Sequence, residues 1–199
     1  MSIKFNRLIR LTGEESFSKI QNTKVIIFGI GGVGSWCAES LIRSGITKLT
    51  IVDSDIVCIT NINRQLQATM NSLGDVKVES LRDRLLSINP DAEITIVEKF
   101  YNSDTREEFN LNSYDYVIDA IDSLSSKVEL IDHALKSNTT LFSSFGAASK
   151  IDPTRVQVKD IWKTYGCPLG RLVRSRLKKE ELKKSFYVFL VMKYFLHMM

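Results

Sequence analysis

The chain has 199 residues, 44% hydrophobic and 25% charged, with a formal net charge of +4. These are ordinary values for one globular domain or a domain with an appendage, and they exclude a fibrous repeat or a chain disordered throughout. Three widely spaced cysteines with no CxxC pair argue against a disulfide framework or a zinc knuckle and for a reducing, cytoplasmic compartment.

The first 24 residues are mixed polar and charged and lack a secretory signal pattern. Lys24–Phe28 (KVIIF) is a continuous apolar run, the mark of a strand buried on both faces. A glycine cluster follows, and Trp36 to Ser44 then places apolar residues at helical spacing. Lys48–Val52 (KLTIV) reads as a second strand ending at Asp53. Asp75 to Asn89 has its apolar residues near one helical face and is stopped by Pro90. Glu93–Val97 is a third strand, Tyr116–Ile118 a fourth that ends at Asp119, Lys127 to Lys136 a helix and Thr140–Ser144 a fifth strand. Strands alternating with helices predict an α/β fold, a Rossmann-like, doubly wound, mostly parallel sheet with helices on both faces.

After Gly146 the texture changes. Residues 150–184 hold eleven Lys and Arg against four Asp and Glu, so the preceding part of the chain is net acidic. The reading divides the chain into a nucleotide-binding domain over 1–149, a basic extension of the same domain over 150–184, and an apolar tail over 185–199. The basic stretch suits contact with a phosphate backbone, or else a solvated charged helix from Leu172 to Lys184. The tail, SFYVFLVMKYFLHMM, is too short to span a bilayer, so no stable membrane association is expected.

Gly29-Ile30-Gly31-Gly32-Val33-Gly34 fits G-x-G-x-x-G between a strand and a helix, the context in which backbone N–H groups and a helix N-terminus cradle phosphate. Asp53, at the end of the second strand, stands where a carboxylate accepts hydrogen bonds from ribose. The pattern points to a nucleotide and leaves NAD, FAD, S-adenosyl compounds and ATP open. Arg64 and Lys77 supply cations that a triphosphate needs more than a dinucleotide does. Asn61 and Gln65 add hydrogen bonds, and Asp122 suits magnesium alongside phosphate oxygens. Cys37 and Cys58 read as small packing residues, and His133 and His197 as structural.

The glycine loop, Asp53, the NxNRQ segment at Asn61–Gln65, Lys77 and the DAID at Asp119–Asp122 together resemble the ubiquitin-activating-enzyme-like (ThiF-type) superfamily, whose members adenylate a carboxylate with Mg-ATP. The resemblance covers about residues 4–180. It implies ATP and Mg2+ as cofactors and Arg64, Lys77 and Asp122 as catalytic residues, with Asp122 on the metal. It also implies a homodimer in which Arg7, from the Lys4-Phe5-Asn6-Arg7 segment, reaches the partner subunit's ATP site. A narrower likeness, carried by Phe145 to Thr154, Lys163-Thr164, Pro168-Leu169 and Arg171 to Arg174, is to the tRNA threonylcarbamoyladenosine dehydratases. That branch implies tRNA carrying threonylcarbamoyladenosine as substrate, with Cys167 where its members usually carry Asp. Activation of a ubiquitin-like or sulfur-carrier protein is the alternative reading, an inactive nucleotide-binding fragment a third and a NAD-dependent oxidoreductase the remotest. After Lys184 the likeness is expected to stop, which favours truncation over a dimer-buried segment or a membrane-touching helix.

Overall fold

The computed structural model describes residues 3–146, 150 and 152–191. Ala147, Ala148, Ser149, Ile151 and residues 192–199 of the apolar tail lie outside the described residues. Two short helices, α1 (Asn6–Thr12) and α2 (Glu14–Asn22), precede the sheet. Seven strands follow: β1 (Lys24–Phe28), β2 (Lys48–Val52), β3 (Glu93–Val97), β4 (Tyr116–Asp119), β5 (Thr140–Ser144), β6 (Val156–Asp160) and β7 (Tyr187–Val191). The interleaved helices are α3 (Gly34–Arg43), α4 (Lys77–Ile88), α5 (Leu124–Lys136) and α6 (Pro168–Lys179).

The strands lie in the order β3-β2-β1-β4-β5-β7-β6. All neighbours pair in parallel except β6 and β7, which are antiparallel. The doubly wound reading therefore holds. Helices cover both faces because alternate residues of each central strand point opposite ways. Val25 and Ile27 pack with Ala38, Ile42, Val78, Leu81 and Leu85 from α3 and α4. Ile26 and Phe28 join Val128, Ile131, Val173 and Leu177 from α5 and α6 on the other face. The chain changes face between β1 and β4, and the gap between their carboxyl ends is the switch point at which such sheets take ligands.

Three expectations are corrected. Residues 185–191 are not a helix or an appended tail: Phe186 is buried, and β7 enters the sheet between β5 and β6 with Val188 and Leu190 in the core. Its outward residues, Tyr187 and Phe189, are also aromatic, so the run has no polar side and hides its two-residue period. The basic stretch is not one helix from Leu172 to Lys184. It contains β6 and then α6, which starts at Pro168, where a missing N–H costs nothing, and ends at Lys179. Finally, α5 begins three residues before Lys127, which places that lysine inside the first turns and makes its burial possible. Among the described residues no helix is long and apolar enough to cross a membrane.

Candidate active site

At the switch point a cleft of about 620 Å³ opens over the carboxyl ends of β1, β2, β4 and β5. The glycine loop forms one wall. Gly29 has φ +82°, and a Cβ there would come within 2.9 Å of the Ala120 carbonyl oxygen. At Gly34 a Cβ would sit 1.9 Å from the Gly29 carbonyl oxygen, so α3 can start this close to β1 only with glycine. Gly31 and Gly32 also line the cleft.

The loop is braced from behind. The Ile30 N–H donates to Asp53 Oδ2 at 2.9 Å, and the Asp55 N–H donates to Asp53 Oδ1 at 3.0 Å. Asp53 thus stands at the end of β2 as predicted, and its carboxylate also anchors the loop. Gln67 Nε2 donates to the Ile30 carbonyl at 3.0 Å, and the Trp36 indole donates to the Arg64 carbonyl at 2.9 Å.

Asn61, Arg64, Gln65 and Lys77 line the same cleft. Their roles separate. Asn61 Oδ1 accepts the Cys58 N–H at 3.0 Å and closes a 3-10 turn over Ile59–Asn61, so part of its capacity shapes the segment. Cys58 is exposed, which corrects its reading as a small packing residue. Cys37 is half-buried, and burial pushes its thiol up. Gln65 is buried, and its Oε1 meets no hydrogen-bond partner among the described residues. An acceptor so placed beside an open cleft is available to a ligand or to water. Lys77 is buried at the start of α4, and its Nζ reaches Asp55 Oδ2 at 2.7 Å. The Arg64 guanidinium is exposed and donates to the Thr60 carbonyl and Asn63 Oδ1, both on its own turn, at 2.9 and 3.1 Å.

On the other wall Asp122 is exposed and, among the described residues, makes no side-chain hydrogen bond or ion pair. Ser144, Phe145, Gly146 and Leu169 complete this side. Leu169 comes from the first turn of α6, which Cys167 caps by accepting the Gly170 N–H on Sγ at 3.4 Å. Cysteine thus takes a helix-capping position here. Among the described residues no three His, Cys, Asp or Glu converge on a metal-sized site. A lone free carboxylate still fits Mg2+, which binds through one or two carboxylates together with phosphate oxygens and water.

Arg7 does not line this cleft. It is exposed on α1, whose neighbourhood lies at the amino ends of the strands. There Lys4 Nζ binds Asn89 Oδ1 at 2.9 Å and Asp91 Oδ2 at 2.7 Å, ahead of β3.

Two groups near the cleft escape a reading of the sequence. Asp119 and Lys127 form an ion pair of 2.7 Å with both side chains fully buried. Tyr101, a cleft-wall residue, is hydrogen-bonded to His133 Nδ1 at 2.9 Å, which gives that histidine the partner its sequence context does not reveal. Burial pushes the Tyr101 phenol far up, and burial with the nearby Arg106 guanidinium pulls His133 down.

A glycine-rich loop at the switch point, two flanking cations and an exposed acid share one cleft of a doubly wound α/β fold. The chain belongs to the ThiF family, whose model matches residues 5–192, so the likeness runs through β7 and does not stop at Lys184. It is 43% identical over 185 residues to the tRNA threonylcarbamoyladenosine dehydratase of Bacillus subtilis (strain 168), covering 93% of this chain and 73% of that one. The Escherichia coli (strain K12) protein of the same name is 40% identical over 177 residues, covering 89% and 66%. The crystal structure of the E. coli dehydratase in complex with ATP superposes with a TM-score of 0.89 at 36% identity, covering 97% of this chain and 83% of that one.

Proposed function

We infer that the chain is an ATP-dependent enzyme that dehydrates threonylcarbamoyladenosine in tRNA by adenylating its carboxylate. The observation that carries the reading is the convergence of the glycine loop, Arg64, Lys77 and Asp122 on one cleft, in a chain so similar to proteins of that activity.

Two anions must meet in this reaction, and their repulsion sets the task of the site. The loop amides and the α3 N-terminus face the phosphates, and Asp53 holds the ribose. Arg64 and Lys77 offset charge that develops as the substrate carboxylate attacks the α-phosphorus and pyrophosphate leaves. Lys77 is held in place by Asp55, whereas Arg64 is free to swing onto phosphate. Asp122 is the residue that would hold Mg2+, which supplies charge neutralisation on the phosphates. A nitrogen or oxygen of the modification itself then attacks the activated carbonyl, and AMP departs with the former carboxylate oxygen. The net change is loss of one water. Because closure is intramolecular, no nucleophilic cysteine is needed.

Arg7 is assigned to the cleft of a partner subunit, since it stands outside its own. Mixing Arg7→Ala chains with Asp122→Ala chains tests this, and restored activity in the mixture is the expected result. The exposed cations of α6, among them Arg171 and Lys178, are assigned to the tRNA backbone, because Leu169 brings that helix to the cleft rim. Replacing both with Glu should lower the salt slope of tRNA binding by about 2. The free cysteines fit a cytoplasmic location.

The deciding experiment is an ATP-to-AMP assay with total tRNA, followed by nucleoside mass spectrometry for loss of one water. Pyrophosphate exchange driven by a carrier protein and not by modified tRNA would instead support carrier activation. A weaker likeness to a probable molybdopterin-synthase adenylyltransferase of Porphyra purpurea, 33% identical over 65% of this chain, points that way.

A further inference from the structure

The carboxyl ends of β4 and β5 carry the wall of the cleft that faces the glycine loop, and backbone pairing reaches one residue past each strand, from the Ala120 N–H to the Phe28 carbonyl at 2.9 Å and from the Phe145 N–H to the Phe189 carbonyl at 2.8 Å. Beneath that wall lies a compact polar knot. Lys127 Nζ is 2.7 Å from Asp119 Oδ2, 2.9 Å from the Ser144 carbonyl oxygen and 3.5 Å from Ser143 Oγ. It also stands 5.5 Å from the centre of the Phe145 ring. Asp119 Oδ1 accepts the Ile121 N–H at 3.0 Å, and Ser143 Oγ donates to Asp119 Oδ2. Lys127 and Asp119 are each 0% exposed.

Two features set this knot apart from an ordinary core contact. A buried ion pair is seldom the most stabilising choice, since apolar residues of similar volume commonly hold a fold as well or better. Two of its hydrogen bonds also reach the segments that line the cleft: Asp119 accepts the amide next to Asp122, and Lys127 donates to the carbonyl of Ser144, the last residue of β5, just before Phe145. Both segments line the cleft, and the ammonium sits between them as a spacer of fixed length.

We propose that the Lys127–Asp119 pair is a positioning device that holds the Ile121–Asp122 loop and the Ser144–Gly146 strand end at the separation needed for attack on the α-phosphate. The proposal rests on the adenylation reading above. Lys127 and Asp119 touch no reacting atom; they act through Asp122 and through the wall at Ser144 and Phe145.

The double variant Lys127→Met with Asp119→Asn removes both charges, keeps the volumes and leaves an acceptor for the Ile121 N–H, so it should fold. Three readouts are taken: ATP affinity by calorimetry, steady-state AMP formation with modified tRNA, and backbone hydrogen exchange. We expect an ATP Kd within about threefold of wild type and a fall in kcat on the order of 100-fold, as for reacting groups displaced by an ångström. Exchange should quicken at Ile121–Asp122 and Ser144–Gly146 and stay unchanged in β1 and α3. Unchanged kcat with unchanged exchange would overturn the proposal and make the pair a plain core contact. So would a loss of ATP affinity with exchange raised throughout the sheet, in this variant and in Asp119→Asn alone, because the pair would then hold the fold. If the wild-type chain forms no AMP with tRNA, the adenylation reading falls. The exchange pattern then decides by itself whether the pair fixes the two loops.

Discussion

The two walls of the cleft are built on different principles. The wall from β1, β2 and α4 turns on a glycine loop whose backbone leaves no room for a Cβ at Gly29 or Gly34, with the Asp53 carboxylate tying the loop to the neighbouring strand. The wall from β4, β5 and α6 is a side-chain assembly. Its parts come from residues 101 to 169, and an ion pair, a Cys-capped helix and the Tyr101–His133 bond tie them together. The first is rigid because no space is left for a Cβ; the second is rigid only as far as its polar contacts are kept. Substitution should therefore damage the first wall through sterics and the second through chemistry.

The sharpest way to break the contrast is Gly34→Ala. The added methyl meets the Gly29 carbonyl oxygen at 1.9 Å, so the loop or the start of α3 must shift. We expect a loss of roughly 3 kcal/mol in stability, as for a severe overpacking change. ATP binding should vanish in calorimetry even where the protein still folds, because the amides no longer converge. Retained ATP affinity would show that the loop can yield.

Lys77→Met separates charge from packing on the same wall. The lysine stem is buried, but its partner Asp55 is 65% exposed, so stability should change by less than about 1 kcal/mol. Pyrophosphate exchange should fall by about 100-fold or more, the effect of removing one preorganised charge. Equal losses in thermal stability and in rate would instead make Lys77 a structural residue.

This division also explains what could be read in advance. The glycine loop, Asp53, Arg64 and Lys77 are legible because a phosphate cradle needs particular residues at fixed short spacings, and β1 to β5 are legible because buried parallel strands are continuous apolar runs. Asp119 and Lys127 are present in the sequence as a strand-end acid and a helix lysine, and nothing local says that both are wholly buried. Their pairing depends on β5 arriving beside β4. In the same way β6 (VQVKD) is masked by its basic surroundings, and β7 by aromatic residues on its outward side, both of which pair only across long loops.

Acidification probes the second wall. Burial, then Arg106, holds His133 below its ordinary value of 6.5. The unfolded chain then binds a proton that the native state refuses, so stability is lost as pH falls below about 6.5 toward the lower folded value. Asp132 contributes at lower pH. Burial raises its acid, but hydrogen bonds from Lys136 and Arg106 outweigh that and hold it below its ordinary 3.8, so its stabilisation is present above that value and disappears beneath it. Melting temperature should therefore decline from about pH 7 to 5, and His133→Gln, which keeps an acceptor for the Tyr101 hydroxyl, should flatten that decline. A slope that survives the substitution would assign the titration elsewhere.

The smallest effect is expected at the far end of α6. Glu181 has φ +59°, the one positive-φ residue other than glycine among the described residues. It closes a helix end in which the Leu182 N–H donates to the Leu177 carbonyl at 2.9 Å and the Glu181 N–H to the Lys178 carbonyl at 3.3 Å. This is the six-to-one pattern that glycine normally serves, since a side chain in the left-handed region crowds its own carbonyl. Glu181→Gly should raise stability by about 1 kcal/mol in urea unfolding, less whatever freedom glycine adds to the unfolded chain. ATP affinity should not change, because α6 meets the cleft through Leu169 at its other end. If the same substitution altered ATP binding, the helix would be transmitting strain along its length, and the second wall would be less a set of separate side-chain contacts than a lever.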